Sequence, residues 1–290
     1  MLTKEQLSGI YVPVVTPFQS NGSLDLESFY NHADRLISAG IHGLVVHGTT
    51  GESPTVSPEE VELLMRTALT ALSGRSVPLV LGTGTNDTAA AVRNTERAGI
   101  LGADAVLVVV PYYNRPSQQG IIEHFRRIAQ VGMPVIMYEI PYRTGVKLET
   151  DTVHTILEMD GIIGLKDSSG STQLLTELSQ RGSKPVLCGE DALMYASLAL
   201  GASGLMTAAA NVKTDRFVQL YHEMKNGNFR EAKIIFDELY PFIQLLFAEP
   251  NPGPLKWILK EQGVIASSEL RLPLVQISSS LQQKLKDYIE

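Results

Sequence analysis

The sequence predicts a (β/α)8 barrel with a C-terminal appendage of about three helices. Eight short apolar runs recur along the chain, mostly Val, Ile and Leu without strict alternation, as parallel strands buried on both faces require. Segments with helical periodicity separate them. The eight units fill roughly 225 residues, the span of an ordinary barrel of this kind. A doubly wound sheet is the competing α/β architecture. No Gly-x-Gly-x-x-Gly follows the first strand, which weakens its nucleotide-binding form.

The strand-like runs are Gly9 to Phe18, His42 to Gly48, Val77 to Thr83 and Ala105 to Pro111. They continue at Pro134 to Pro141, Ile162 to Ser169, Pro185 to Asp191 and Gly204 to Val212. Leu24 to Ala39 has helical periodicity and follows a Gly-Ser turn. Ser57-Pro58-Glu59-Glu60 offers an N-cap, a proline at the first helical position and a glutamate three residues after the cap. Val61, Leu64 and Met65 then supply the apolar stripe. Ser117 opens Gln118 to Gln130 in the same way. Beyond the eighth unit the pattern is only helical: Phe229 to Phe247, Pro254 to Gln262 and Ser278 to Ile289, with Asn251-Pro252-Gly253-Pro254 breaking the first from the second. Residues 1–224 are therefore expected to form the catalytic barrel. Residues 225–290 are expected to pack on it as a helical region with no chemistry of its own.

Composition narrows the function classes. The 290 residues are 44% hydrophobic and 19% charged, enough apolar content for a sizeable core. A net charge of −7 without a basic cluster argues against a nucleic-acid groove. The first residues lack a signal-peptide apolar core, and the longest apolar runs are too short to span a bilayer. The single cysteine, Cys188, permits no intrachain disulfide, fits a reducing cytoplasm, and reads as a small core residue. The six histidines form no His-x-His or His-x-x-x-His pair, so a dedicated metal site has little support.

Lys166 is the most informative residue. It ends the apolar run Ile162-Ile163-Gly164-Leu165 and precedes Asp167-Ser168-Ser169-Gly170. Burial there would lower its pKa and free an amine to attack a carbonyl. A lysine snorkelling to solvent is the alternative on this segment alone. In such a barrel the chemistry sits at the C-terminal ends of the strands. The unusual residues fall at those ends: Gly48-Thr49-Thr50-Gly51-Glu52-Ser53, Pro111-Tyr112-Tyr113-Asn114-Arg115-Pro116, Tyr138, Arg143, Lys166 and Gly189-Glu190-Asp191. Singly, each has a structural reading as a turn, a core aromatic or a surface charge. A lysine, a tyrosine, an arginine and paired threonines on one face suit carbonyl chemistry on an acidic substrate.

These motifs resemble the dihydrodipicolinate synthase family, within the pyruvate-dependent class I lyases that also hold N-acetylneuraminate lyase. The resemblance runs from Val14-Val15-Thr16-Pro17-Phe18 to Leu270-Arg271-Leu272-Pro273-Leu274 and includes Arg143-Thr144-Gly145 and Glu249-Pro250-Asn251-Pro252. It implies a lyase of lysine and diaminopimelate biosynthesis that condenses pyruvate with aspartate semialdehyde. It implies that Lys166 forms an imine with pyruvate, Tyr138 shuttles protons, and Thr49 links Tyr138 to a Tyr113 contributed by a neighbouring subunit. Thr50 would hold the pyruvate carboxylate and Arg143 that of the aldehyde, with Gly189 and Met206 lining the pocket. No cofactor is implied beyond the covalently bound pyruvate, and the assembly implied is a homotetramer built as a dimer of dimers.

Two positions differ from the family pattern. Asp167-Ser168-Ser169-Gly170 resembles keto-acid aldolase branches, where the synthase more often has Glu-Ala-Ser-Gly or Glu-Ala-Thr-Gly. Glu139 stands where the synthase usually has asparagine, and a carboxylate there could repel an acidic substrate or bind a cation partner. Both leave the lyase chemistry intact but bear on the second substrate, keeping open an aldolase or dehydratase for a 2-keto-3-deoxy sugar acid or 4-hydroxy-2-oxo acid. An inactive ligand-binding barrel is an alternative of another class, against which the intact Lys166, Tyr138, Thr49 and Thr50 count.

Overall fold

The computed structural model describes residues 1–289. Eight parallel strands run in chain order and close into a barrel. They are β1 (Gly9–Pro13), β2 (Gly43–Val46), β3 (Leu79–Gly82), β4 (Ala105–Val109), β5 (Val135–Glu139), β6 (Ile162–Asp167), β7 (Val186–Cys188) and β8 (Gly204–Met206). Each expected apolar run contains one of them. The strands are shorter than the runs because the backbone leaves the ladder early at their C-terminal ends. Pro13 ends β1, and Pro141, which has no N–H to donate, opens a helical turn two residues beyond β5.

Helices follow the strands: α1 (Leu26–Ser38), α2 (Pro58–Ala71), α3 (Thr88–Ile100), α4 (Gln118–Ala129), α5 (Pro141–Thr144), α6 (Thr150–Leu157), α7 (Gln173–Gln180), α8 (Met194–Ala199) and α9 (Thr214–Lys225). The expected capping box forms at α2, where Ser57 Oγ accepts from Glu60 N and the Glu60 carboxylate accepts from Ser57 N. Ser117 caps α4 by accepting from Gly120 N at 3.2 Å. The three expected tail helices are α10 (Phe229–Leu246), α11 (Gly253–Glu261) and α12 (Ser279–Leu285), the last extended by a 3₁₀ turn over Lys286–Tyr288. Glu290, the final residue of the expected helical region, lies outside the described residues.

The chain separates into two compact units that cut across its order. One holds residues 1–10 and 78–206, hence β3 to β8. Its chain start is tied in by Leu2 N donating to Asp104 O and Gly9 N to Ser203 O. The other holds residues 11–77 and those from 207 onward, hence β2, most of β1 and the tail helices. There Asn211 Nδ2 donates to Pro13 O while its Oδ1 meets His32 Nε2, all fully buried. Burial pulls the His32 imidazole down to about 3, so this histidine is a neutral core group.

Close backbone approach dictates glycine at Gly204. A Cβ there would lie 2.1 Å from the Gly9 carbonyl oxygen. Gly204→Ala should therefore destabilise the fold by about 2–3 kcal/mol through overpacking. Urea unfolding measures this, and an unshifted midpoint would show that β8 can move away from Gly9 without cost.

Candidate active site

The pairing of β5 with β6 sets Tyr138 opposite Lys166 and Glu139 opposite Asp167. Successive side chains in a strand point to opposite faces, so the two pairs emerge on opposite sides of the sheet. On the first side, Lys166 Nζ lies 4.2 Å from the centre of the Tyr138 ring. Both side chains are buried. Burial pulls the Lys166 ammonium down to about 8; Asp191 and Glu190 oppose this, and Arg143 adds to it. Roughly a tenth of the molecules then carry the free amine at neutral pH.

Gly189 gives Lys166 its space. A Cβ at Gly189 would lie 2.7 Å from Lys166 Cε and 2.3 Å from Ser168 Oγ. The neighbouring Glu190 is pushed up to about 7 by burial and by Asp191, with Lys166 pulling against them. Met206 ends β8 and is fully buried. Arg143 sits on the short α5, which closes on Gly145 in the left-handed conformation at φ 74°. Its guanidinium is exposed and lies 5.6 Å from the Tyr142 ring centre. These residues form one constellation: a depressed lysine beside a buried tyrosine, with an exposed cation on the adjoining segment.

The second side explains Glu139. Its Oε1 accepts from Leu148 N at 3.0 Å, while Oε2 is buried without a partner. Burial pushes its carboxyl up to about 7, and Asp167 adds to the rise. Asp167 is itself raised, again chiefly by burial. Glu139 thus faces away from Lys166 and is largely protonated below about pH 7. The repulsion of an acidic substrate expected from the sequence is relieved by both facts. Its hydrogen bond instead closes the segment from Ile140 to Leu148 that carries Arg143.

Thr49 and Thr50 belong to the other unit, in the loop after β2. Gly51 N donates to Gly48 O, Glu52 N to Thr49 O and Thr16 Oγ1 to Gly51 O. Thr50 is buried, and its Oγ1 accepts from Asn251 Nδ2 at 3.0 Å. Tyr113 is 89% exposed and has a positive φ of 70°, an uncommon backbone state for a bulky residue. The single chain leaves this ring in solvent.

Sequence reasoning passed over Asn251 and Lys256. Asn251 reads in the sequence as part of a helix break and of the Glu249-Pro250-Asn251-Pro252 motif, without a role of its own, yet its amide holds Thr50. Lys256 is fully buried in α11 and bonds Glu52. The available signal was a lone cation inside the apolar stretch Pro254 to Leu259.

Comparison with known proteins gives a consistent picture. The family model described as the dihydrodipicolinate synthetase family matches residues 6–290. A 4-hydroxy-tetrahydrodipicolinate synthase of Thiobacillus denitrificans is 42% identical over 277 residues, covering 93% of this chain and 92% of that protein. The 4-hydroxy-tetrahydrodipicolinate synthase 2 of Clostridium acetobutylicum is 36% identical over 287 residues, covering 98% of this chain and all of that one. Among solved structures, the chloride-inhibited dihydrodipicolinate synthase of Acinetobacter baumannii, complexed with pyruvate, superposes with a TM-score of 0.93. It is 33% identical, and the match covers 97% of each chain.

The raised carboxyl of Glu139 has a consequence for stability. The folded state holds this proton more tightly than the unfolded chain, so stability falls as pH rises from about 4.5 to about 7. The loss amounts to about 2–3 kcal/mol. Glu139→Gln should remove it, so the variant should gain on the unmodified protein between pH 5 and pH 8. Denaturant midpoints at the two pH values check this; equal differences at both would mean that Glu139 ionises as an ordinary carboxylate.

Proposed function

Because the chain belongs to the dihydrodipicolinate synthetase family, we propose that it condenses pyruvate with L-aspartate 4-semialdehyde to give 4-hydroxy-tetrahydrodipicolinate, with Lys166 as the imine-forming residue. The observation that carries this reading is Lys166 itself: buried, depressed to about 8 and set against the Tyr138 ring.

The free amine of Lys166 attacks the keto carbon of pyruvate and water leaves. The protonated imine is an electron sink, so the methyl group gives up a proton and becomes an enamine carbon nucleophile. That carbon attacks the aldehyde carbon, whose oxygen takes up a proton. The substrate's own amine then displaces Lys166 and closes the ring. Tyr138 moves protons in these steps, with Thr49 and a Tyr113 from a neighbouring subunit completing the relay. Tyrosine is a poor base at its reference pKa of about 10, and a hydrogen-bonded relay avoids stranding charge on it. Thr50 holds the keto-acid carboxylate, Gly189 and Met206 line the pocket, and Arg143 orients the aldehyde through its carboxylate, lowering the entropic part of the barrier.

The strong exposure of Tyr113 in the single chain supports a site completed across subunits, in a homotetramer built as a dimer of dimers. No cofactor enters this scheme. No helix among the described residues is long and apolar enough to cross a membrane; a cytoplasmic enzyme acting on small molecules, without nucleic-acid partners, is the setting we assign.

Incubation with pyruvate and borohydride should add a reduced pyruvyl group to a peptide containing Lys166, faster as pH rises toward about 8 because the free amine is the attacking form. Lys166→Ala should not be labelled; labelling of another lysine in the unmodified protein would overturn the assignment.

Arg143→Ala should raise the KM for aspartate semialdehyde about tenfold to a hundredfold, as loss of a charge-assisted hydrogen bond predicts, while changing that for pyruvate far less. An unchanged semialdehyde KM would redirect the search to sugar-acid substrates.

A further inference from the structure

The loop after β2 is held by a buried ion pair from a distant part of the sequence. Glu52 follows Thr49-Thr50-Gly51 directly and adopts a left-handed backbone at φ 54°. That conformation is unfavourable for a residue with a Cβ and persists only where its surroundings impose it. Glu52 is 2% exposed. Its Oε1 accepts from Lys256 Nζ at 2.5 Å, and its Oε2 accepts from Arg271 N at 3.1 Å. Lys256 is fully buried, donates also to Glu269 O at 2.7 Å, and sits 4.1 Å from the centre of the Phe18 ring. The Arg271 guanidinium lies 4.2 Å from the same ring and makes a two-pronged bond to the Glu60 carboxylate, at 2.5 and 2.7 Å. It also donates to Gly22 O and Thr55 O.

This arrangement joins α11 and the segment after it to the C-terminal side of the loop that carries the two threonines, at Glu52, Thr55 and Glu60. Burial pulls Lys256 down to about 8 against the opposing pull of Glu52, so the ammonium is kept in place by its partner. Without that cation, the Glu52 carboxylate would be buried with no counter-charge, which disfavours its place in the fold and would loosen the backbone at Thr49 and Thr50. An apolar pair of similar volume could fill the same space, but it would hold the loop by no directed hydrogen bonds.

We propose that Lys256 is a positioning residue for the reaction: by pairing with Glu52 it holds the Thr49–Thr50 loop in the geometry that binds the keto-acid carboxylate. This rests on the reading of Thr50 as the group that receives the carboxylate of pyruvate.

The test compares Lys256→Met, Glu52→Gln and the double variant Lys256→Met/Glu52→Gln in the full chain. Each is assayed for thermal unfolding, borohydride trapping with pyruvate, and KM and kcat with both substrates. Lys256→Met should lower the melting temperature and raise the KM for pyruvate at least tenfold, with trapping at saturating pyruvate still on Lys166. The double variant removes both charges, so it should regain thermal stability while the KM for pyruvate stays raised. This separates positioning from a purely structural role, because stability and pyruvate affinity part company. If Lys256→Met does not fold, Glu52→Gln and the double variant carry the same comparison. A stable double variant with the unmodified KM for pyruvate overturns the proposal alone. Absence of pyruvate trapping in the unmodified protein overturns the functional reading on which the proposal rests, and both fall together.

Discussion

The register between β5 and β6 is the constraint on which the chemistry depends. Tyr138 pairs with Lys166, and Glu139 with Asp167. The period of two in a strand then sends these pairs to opposite faces. A shift of β6 by one residue would turn Asp167 toward the Tyr138 face and Lys166 toward the Glu139 face. An anionic partner at bonding distance would hold Lys166 protonated, the reverse of what the proposed role of its amine needs. The register thus separates a depressed base from a pair of raised acids, although the four residues are adjacent in two short strands.

Steric limits reinforce that separation. Gly189 leaves the space through which Lys166 extends, while its N–H donates to Asp167 O and keeps the end of β7 against β6. Glu190 and Asp191 follow at once and moderate the fall in the Lys166 pKa. Burial makes the free amine available, and the two acids limit how far the Lys166 pKa falls. Glu139 contributes from the other face by anchoring Leu148, which closes the segment carrying Arg143.

The tail helices have a larger part than their composition implies. Their apolar periodicity reads as packing, and much of α11 is indeed buried. Yet α11 also brings Lys256 to Glu52, and Asn251, the residue before its N-cap Pro252, reaches Thr50. Arg271 belongs to a segment with no regular secondary structure and still anchors Glu60, Gly22 and Thr55. The loop bearing the threonines is therefore specified by charges more than two hundred residues further along the chain, as the separation of 204 between Glu52 and Lys256 shows.

The eight strands, the capping box at Ser57, the cap at Ser117 and the three tail helices were legible in the sequence because each rests on local physics. Apolar runs, caps and prolines act over a few residues. The candidate site was legible in part for the same reason: strand ends put Lys166, Tyr138, Arg143, Gly189 and the threonine loop where barrel chemistry occurs. The strand period of two puts Glu139 on the face opposite Tyr138, but local signals could not show that it would be buried there and bonded to Leu148 N. Nor could they show that Lys256 would meet Glu52, because a buried charge finds its partner through the closed fold and not along the chain. The sequence by itself determined the elements and the chemical types at their ends. Tertiary structure alone decided which charges were paired, which were stripped of water, and hence which would be reactive.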